Sequence, residues 1–259
     1  MTEDRLDRIL FSMDRKQYGR IREEAGNFRA QYGNFLLRDD IFSIIRNFAR
    51  KNHKALELFR FPVGDEKLRA FSVVRENVVF CVINTALSLE KQLFAAAYEL
   101  FFMRRFIEGK PSAFPQKGSI YLEGYEDLRA QAFAGLILAP SPEIVDRMVL
   151  YDMDRSQLRL RDIVQLADCF GLSYTAMTLR LYECGILDKN RAVSFLEREQ
   201  EAQQYMEDSG LCSRWTSVTG EISFGELPVM LRENENSGDA SGVWKCRERL
   251  GEIAAALKK

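Results

Sequence analysis

Apolar residues recur at helical spacing near the start of the chain. Leu6, Ile9, Leu10 and Met13 mark one amphipathic segment, and Ile41, Ile44, Ile45, Phe48 and Ala49 mark a second. Gly26, Gly33 and Asn34 fall between them and are expected to interrupt the helix. The texture changes from about residue 56 to 84. Stretches 56–61, 70–74 and 78–83 are short and apolar, the last two rich in β-branched or aromatic residues. Pro62, Gly64, Asp65 and Asn77 punctuate them, so two or three antiparallel strands are predicted.

Helical periodicity then returns. Ser88 offers an N-cap, and Glu90 places a negative charge in the first turn, where the helix dipole favours it. This helix is predicted to run to about Ile107, with Gly109 and Pro111 ending it. A Gly/Pro/Ser/Lys loop reaches about residue 119, and further helices are predicted over roughly 125–138 and from Pro142 to about 150. Residues 158–187 read as two helices joined by a tight turn, with Ala167, Gly171 and Ser173 at helix-turn-helix spacing. Beyond them the pattern predicts a polar helix at 192–207, a segment at 215–232 compatible with a hairpin, a mobile linker at 233–242 and a last helix at 243–258.

Composition narrows the function classes. The chain has 259 residues, 46% of them apolar, with 37 Lys+Arg against 38 Asp+Glu. That balance lacks the basic footprint of a protein whose main partner is nucleic acid. No apolar run approaches the roughly 20 residues needed to cross a bilayer. The opening Met-Thr-Glu-Asp-Arg carries no secretory pattern. Cys81, Cys169, Cys184, Cys212 and Cys246 are odd in number and widely spaced, which suits reduced structural thiols and a cytoplasmic protein. The acidic residues Glu123, Glu126, Asp127, Asp152 and Asp154 lack EF-hand spacing and read as solvated charge. The aromatic series Phe94, Tyr98, Phe101, Phe102 and Phe106 reads as core.

One stretch carries a chemical pattern. Residues 98–102, Tyr-Glu-Leu-Phe-Phe, occupy the frame of His-Glu-x-x-His, in which two imidazoles one turn apart grip a zinc ion. Here the histidine slots hold Tyr98 and Phe102, and only Glu99 survives. The chain has one histidine, His53, in a basic and expectedly exposed turn, so no such pair exists.

Three blocks in order give this frame a context. The strand ending Ile83-Asn84 is followed by Ser88-Leu89-Glu90-Lys91-Gln92-Leu93-Phe94 and leads into the frame. Residues 129–140, Arg-Ala-Gln-Ala-Phe-Ala-Gly-Leu-Ile-Leu-Ala-Pro, are similar to a stretch Glu-Ala-Asn-x-Phe-Ala-x-x-Leu-Leu-Met-Pro. The helical pair at 158–187 is the third. Over residues 56–187 the chain resembles the ImmA/IrrE family of metallopeptidases, many of which act on helix-turn-helix repressors encoded by phages or mobile elements. The resemblance implies an α+β fold with a zincin-like core, a small antiparallel sheet and helix-turn-helix-like helices behind it. It divides the chain into a helical region 1–50, a core 51–150, the helical pair within 151–190 and a C-terminal region 191–259.

Carried over by position, the three zinc ligands become Tyr98, Phe102 and Arg129. Phenylalanine cannot ligate and arginine brings a fixed positive charge, so no metal and no other cofactor is expected. Glu99, the family's general base, is left vestigial. Phe101 replaces the family's glycine. A desolvated Glu99 needs a partner, and the resemblance implies that the geometry bringing the third ligand to the metal brings Arg129 to it as an ion pair, the alternative being that Arg129 faces solvent. The expected function is a pseudoenzyme that binds a protein partner, a repressor or another mobile-element protein. The alternative is a DNA-binding regulator that uses Ser173, Tyr174, Thr175 and Arg180, with Arg159 and Arg161 on the preceding helix.

Overall fold

The computed structural model describes residues 2–32, 41–52, 55–65, 67–75, 78–108, 127–225 and 227–256. Its sheet contains β1 (Ala55–Phe61), β2 (Ala70–Arg75), β3 (Val78–Asn84) and β4 (Ser223–Phe224) in the order β2-β3-β1-β4. β2 and β3 are antiparallel, with Ser72 opposite Cys81, and β1 is antiparallel to β4. β1 and β3 run parallel, with Leu58 opposite Cys81. The antiparallel sheet expected from the sequence is therefore a mixed one. Its cause is the connection between β1 and β2, which passes the end of β3 to reach the far edge. Asn84, 1% exposed at the end of β3, holds that connection. Its amide donates to the carbonyls of Asp65 (3.2 Å) and Leu68 (2.8 Å), and its oxygen accepts from Val63 N–H (2.8 Å) and Ala86 N–H (2.9 Å). The buried side chain thus satisfies backbone groups that a loop would otherwise leave to water.

The inner face of the sheet, with Val79, Cys81 and Ile83 all fully buried, is covered by helix α5 (Leu89–Ile107), which comes after α1 (Thr2–Asp7), α2 (Leu10–Met13), α3 (Arg15–Tyr32) and α4 (Ile41–Lys51). The first amphipathic segment is split, because Ile9 adopts an extended conformation between α1 and α2. Gly26 does not interrupt α3: Ala25 and Phe28 beside it are buried and hold the helix through packing, against a glycine cost of about 1 kcal/mol. The expected breaks at Gly33 and Asn34 lie outside the described residues, as do His53, Glu123 and Glu126.

Helix α6 (Leu128–Leu138) packs along α5 and α3. Phe133 joins the three, its ring 5.6 Å from Phe101 and 6.2 Å from Phe28. α7 (Ser141–Leu150) follows, then α8 (Leu160–Phe170) and α9 (Tyr174–Glu183), joined at Gly171 in the left-handed conformation (φ 60°). The helix expected at 192–207 is two, α10 (Lys189–Glu197) and α11 (Glu199–Ser209); the break at Arg198 lets α10 pack on α9 and α11 on α8. The segment at 215–232 forms no hairpin. It supplies α12 (Ser213–Thr216), the edge strand β4 and the start of α13 (Leu227–Ser237). The expected linker is mostly helix too, since α14 (Ala240–Ala256) begins just past Gly238 (φ 73°). Glu233, Glu235 and Asn236 occupy the exposed side of α13, while Asn234 turns towards Cys246 of α14 (3.7 Å).

One cluster of buried apolar side chains runs from Leu6 to Trp215 and crosses the boundaries drawn at 50, 150 and 190. Among the described residues no helix is long and apolar enough to cross a membrane.

Arg180 ties distant parts of this core together. The side chain, 3% exposed, passes over Gly135 of α6, where a Cβ would lie 2.9 Å from its Cδ. It donates twice to the carbonyl of Ala139 (3.1 and 2.9 Å), once to Tyr18 Oη (3.0 Å), and pairs with Glu183. Removing one partner of a buried pair strands the other charge. Arg180→Met is expected to cost about 3–5 kcal/mol in urea unfolding, and Arg180→Met with Glu183→Met distinctly less. Equal losses in the single and double variants would show that the pair carries no such coupling.

Candidate functional site

Tyr98 and Phe102 stand one turn apart in α5, 3% and 9% exposed, with ring centroids 5.3 Å apart in an edge-to-face contact. Tyr98 Oη accepts the N–H of Asp127 at 3.3 Å. Asp127 is the N-cap of α6, accepting from the N–H groups of Arg129 (2.8 Å) and Ala130 (3.4 Å), and its carboxylate also binds the Arg129 guanidinium. The structure therefore brings Tyr98 to the start of α6. The groups that meet there are two aromatic rings and a capped aspartate.

The Glu99–Arg129 ion pair is not formed. Arg129, with 41% of its side chain exposed, reaches Asp127 without leaving water. That contact raises the affinity of the guanidinium for its proton and holds the Asp127 carboxyl below its ordinary range, against the opposing effect of burial. Successive helical residues point about 100° apart. With Tyr98 aimed at α6, Glu99 faces the sheet instead, where Ser72 of β2 and Cys81 of β3 lie.

Glu99 is 6% exposed, and burial pushes its carboxyl from 4.5 up to about 7. Only Ser72 opposes the shift, and the Ser72 hydroxyl, though near Glu99 and Cys81, reaches hydrogen-bond geometry with neither. Burial and the neighbouring carboxyl together push the Cys81 thiol up, so it is an inert core group. No three His, Cys, Asp or Glu side chains converge as a metal-binding set among the described residues.

The residues considered for DNA contact have structural roles. Tyr174 is 3% exposed and donates to the carbonyl of Phe195 (3.0 Å), and Arg180 is the buried clamp. Ser173 Oγ caps α9 by accepting Ala176 N–H (3.2 Å), and Thr175 donates to Glu199 (2.7 Å). The one cation of α9 therefore points into the protein. Arg159 and Arg161 are exposed on α8 beside Asp162. Asp154 caps a single 3-10 turn at Arg155–Gln157, and Asp152 has a positive φ of 50°. Of the aromatic series, Phe101 is fully buried, while Phe94 and Phe106 are partly buried against the core.

A feature not expected from the sequence lies between α5 and α9. Three adjoining cavities, of about 70, 410 and 550 Å³, form one groove. The first begins at Ile9 and Leu10 and shares Phe94, Leu172 and Leu179 with the second. The second shares Glu90, Lys91 and Ser173 with the third, which ends along α11. The available signal was an excess of apolar positions on α9. Tyr174, Met177 and Leu181 fill the core, and Ala176 and Leu179 form a second, half-buried stripe.

No protein-family model matches the chain, and no curated protein and no solved structure matches it.

The raised Glu99 carboxyl has a consequence for stability. Between about pH 4.5 and 7 the unfolded chain carries this group ionised while the folded chain keeps its proton, so folding takes up a proton. The contribution of Glu99 to stability is full below this window, falls as pH rises through it, and is lost above it. Glu99→Gln is expected to gain about 3 kcal/mol over the wild type at pH 8, shrinking towards none at pH 4.5. Urea unfolding at both pH values measures the difference, and a pH-independent difference would show Glu99 to be ordinarily ionised.

Proposed function

We propose that the chain is a catalytically inactive relative of the ImmA/IrrE metallopeptidases, a zincin-like scaffold that acts by binding a protein, a repressor or another mobile-element product. The observation that carries this reading is the meeting of Tyr98 with residues 127–129. The resemblance requires the frame at 98–102 and the third-ligand segment to converge, and the Tyr98–Asp127 contact at 3.3 Å supports that convergence. In this reading the scaffold has no zinc chemistry of its own. Ring packing fills the two histidine positions, the third ligand position is cationic, and Glu99 is turned to the sheet, away from any metal-bound water.

In this reading α8 and α9 are the helix-turn-helix-like pair, with their connecting turn used for packing. The buried Tyr174 and Arg180 weigh against the DNA-binding alternative. The five free thiols suit work in the reducing cytoplasm.

Metal binding tests the scaffold. Purified wild-type protein is expected to hold no stoichiometric zinc and to show no chelator-sensitive proteolysis. The triple variant Tyr98→His, Phe102→His, Arg129→Glu sets two imidazoles on one helical face with a carboxylate opposite, and is expected to bind about one zinc per chain in a calorimetric titration. Tightly held zinc in the wild type, with activity that chelation removes, would overturn the pseudoenzyme reading. A folded triple variant with no more zinc affinity than the wild type would overturn the zincin-like one.

A further inference from the structure

We propose that the groove between α5 and α9 receives an amphipathic helix of the partner protein, its apolar stripe on Phe94, Ala176 and Leu179 and a lysine or arginine at one end against Glu90. The proposal rests on the binding reading above and names the kind of partner that the surface fits.

The shape of the groove selects a helix. Its walls are mostly helical, interrupted at turns such as Leu172–Ser173 and Gly210–Leu211, and the helical backbone groups are already satisfied within the helices. An extended peptide would find no sheet edge along them and would leave its own N–H and C=O groups unpaired, whereas a helix satisfies them internally. The groove is also elongated, since each cavity shares side chains with the next from Ile9 to α11. A stripe repeating at three- and four-residue intervals suits such a shape better than a compact ligand does.

Charge orients the occupant. Glu90 lines both larger cavities and has no hydrogen bond or ion pair among the described residues. Burial raises its affinity for a proton, and only Lys91 opposes this. Beyond Glu90 the groove passes Glu199 and Glu207, while Arg69 and Lys91 stand exposed at its rim. The apolar end near Leu10 offers an occupant surface to bury, whereas towards α11 Glu199 is held by Arg5 and Thr175 and Glu207 by Gln203, which leaves Glu90 as the carboxylate for the occupant's cation. A cation set beside Glu90 would supply what the fold leaves out there.

A phage library of amphipathic helical peptides, panned on the full-length protein with counter-selection on Ala176→Trp, tests the idea. Ala176 is half-buried on the groove floor, so the indole fills the space while the core behind it is untouched. Enriched peptides are expected to carry apolar residues at helical spacing and a lysine or arginine at one end. By fluorescence anisotropy they should bind Ala176→Trp at least about tenfold more weakly than the wild type. Leu179→Lys provides a second block should the tryptophan variant melt early. Glu90→Gln should weaken the selected peptides severalfold and leave versions with the terminal cation neutralised unaffected.

The proposal is overturned by failure to enrich any peptide, by peptides that bind the blocked variants equally well, or by an acidic or proline-rich consensus. A wild-type dimer that Ala176→Trp dissolves would also overturn it, because a second copy would then be the occupant. None of positions 98, 102 and 129 lines the groove, so the zinc titration and the peptide selection fail or succeed independently.

Discussion

Helix α5 is enclosed by the sheet, α4, α6 and α12, so its polar side chains have to be satisfied from inside the protein. Ala95, Ala96 and Ala97, all fully buried, let these neighbours approach closely. Gln92 donates to the carbonyl of Leu87 (2.8 Å) and to Thr219 Oγ1 (3.0 Å), which ties the segment before β4 to the helix. Arg104 pairs with Glu24 of α3 and with Glu108 (3.4 Å). Tyr98 takes the first N–H of the α6 cap. Each buried polar group on α5 thereby fixes a different neighbour, and the architecture follows from where these groups point.

Glu99 is the exception among them. Its nearest polar company is a serine hydroxyl and a thiol, and neither offers a positive charge. In a zinc protease a carboxylate at this place in the frame works beside a dication. Beside a hydroxyl and a thiol there is no electrostatic reason for the carboxyl to be ionised, and the sheet-facing orientation keeps it near neutrality. Residues 98–102 thus form part of a packed joint between two helices, held by aromatic contact and the Tyr98–Asp127 hydrogen bond. The groove proposed for recognition lies nearer the start of the same helix, where Glu90 and Phe94 face α9.

Much of this was legible in the sequence, because periodicity and punctuation are local properties. The three main strands, the helix after Ser88, the stop before Pro140 and the turn at Gly171 are all written in short stretches of chain. Ser88 itself shows the limit of such signals, since α5 starts after it but its hydroxyl caps nothing. Strand order was not legible, because it depends on three hydrogen bonds made by one asparagine to a loop up to 21 residues away. The polar run at 233–242 read as linker because an exposed helical face and a disordered segment share a composition. The partner of Arg129 was missed through comparing it with a residue in another helix, when a fixed carboxylate stood two positions away. The groove was invisible for a related reason: a half-buried apolar stripe looks like core until the neighbouring helix is seen to stand off from it.

The contact between Gly135 and Arg180 also bears on how this chain can change over time. The arginine lies across the glycine because no side chain is there, and its fan of hydrogen bonds then fixes α3, α6, α7 and α9 relative to one another. Any larger residue at 135 must displace a side chain that four elements rely on, whereas loss of the arginine removes the obstacle. The two positions therefore form an ordered pair in evolution. Position 180 has to be released before position 135 can drift, and descendants that keep the arginine are committed to the glycine.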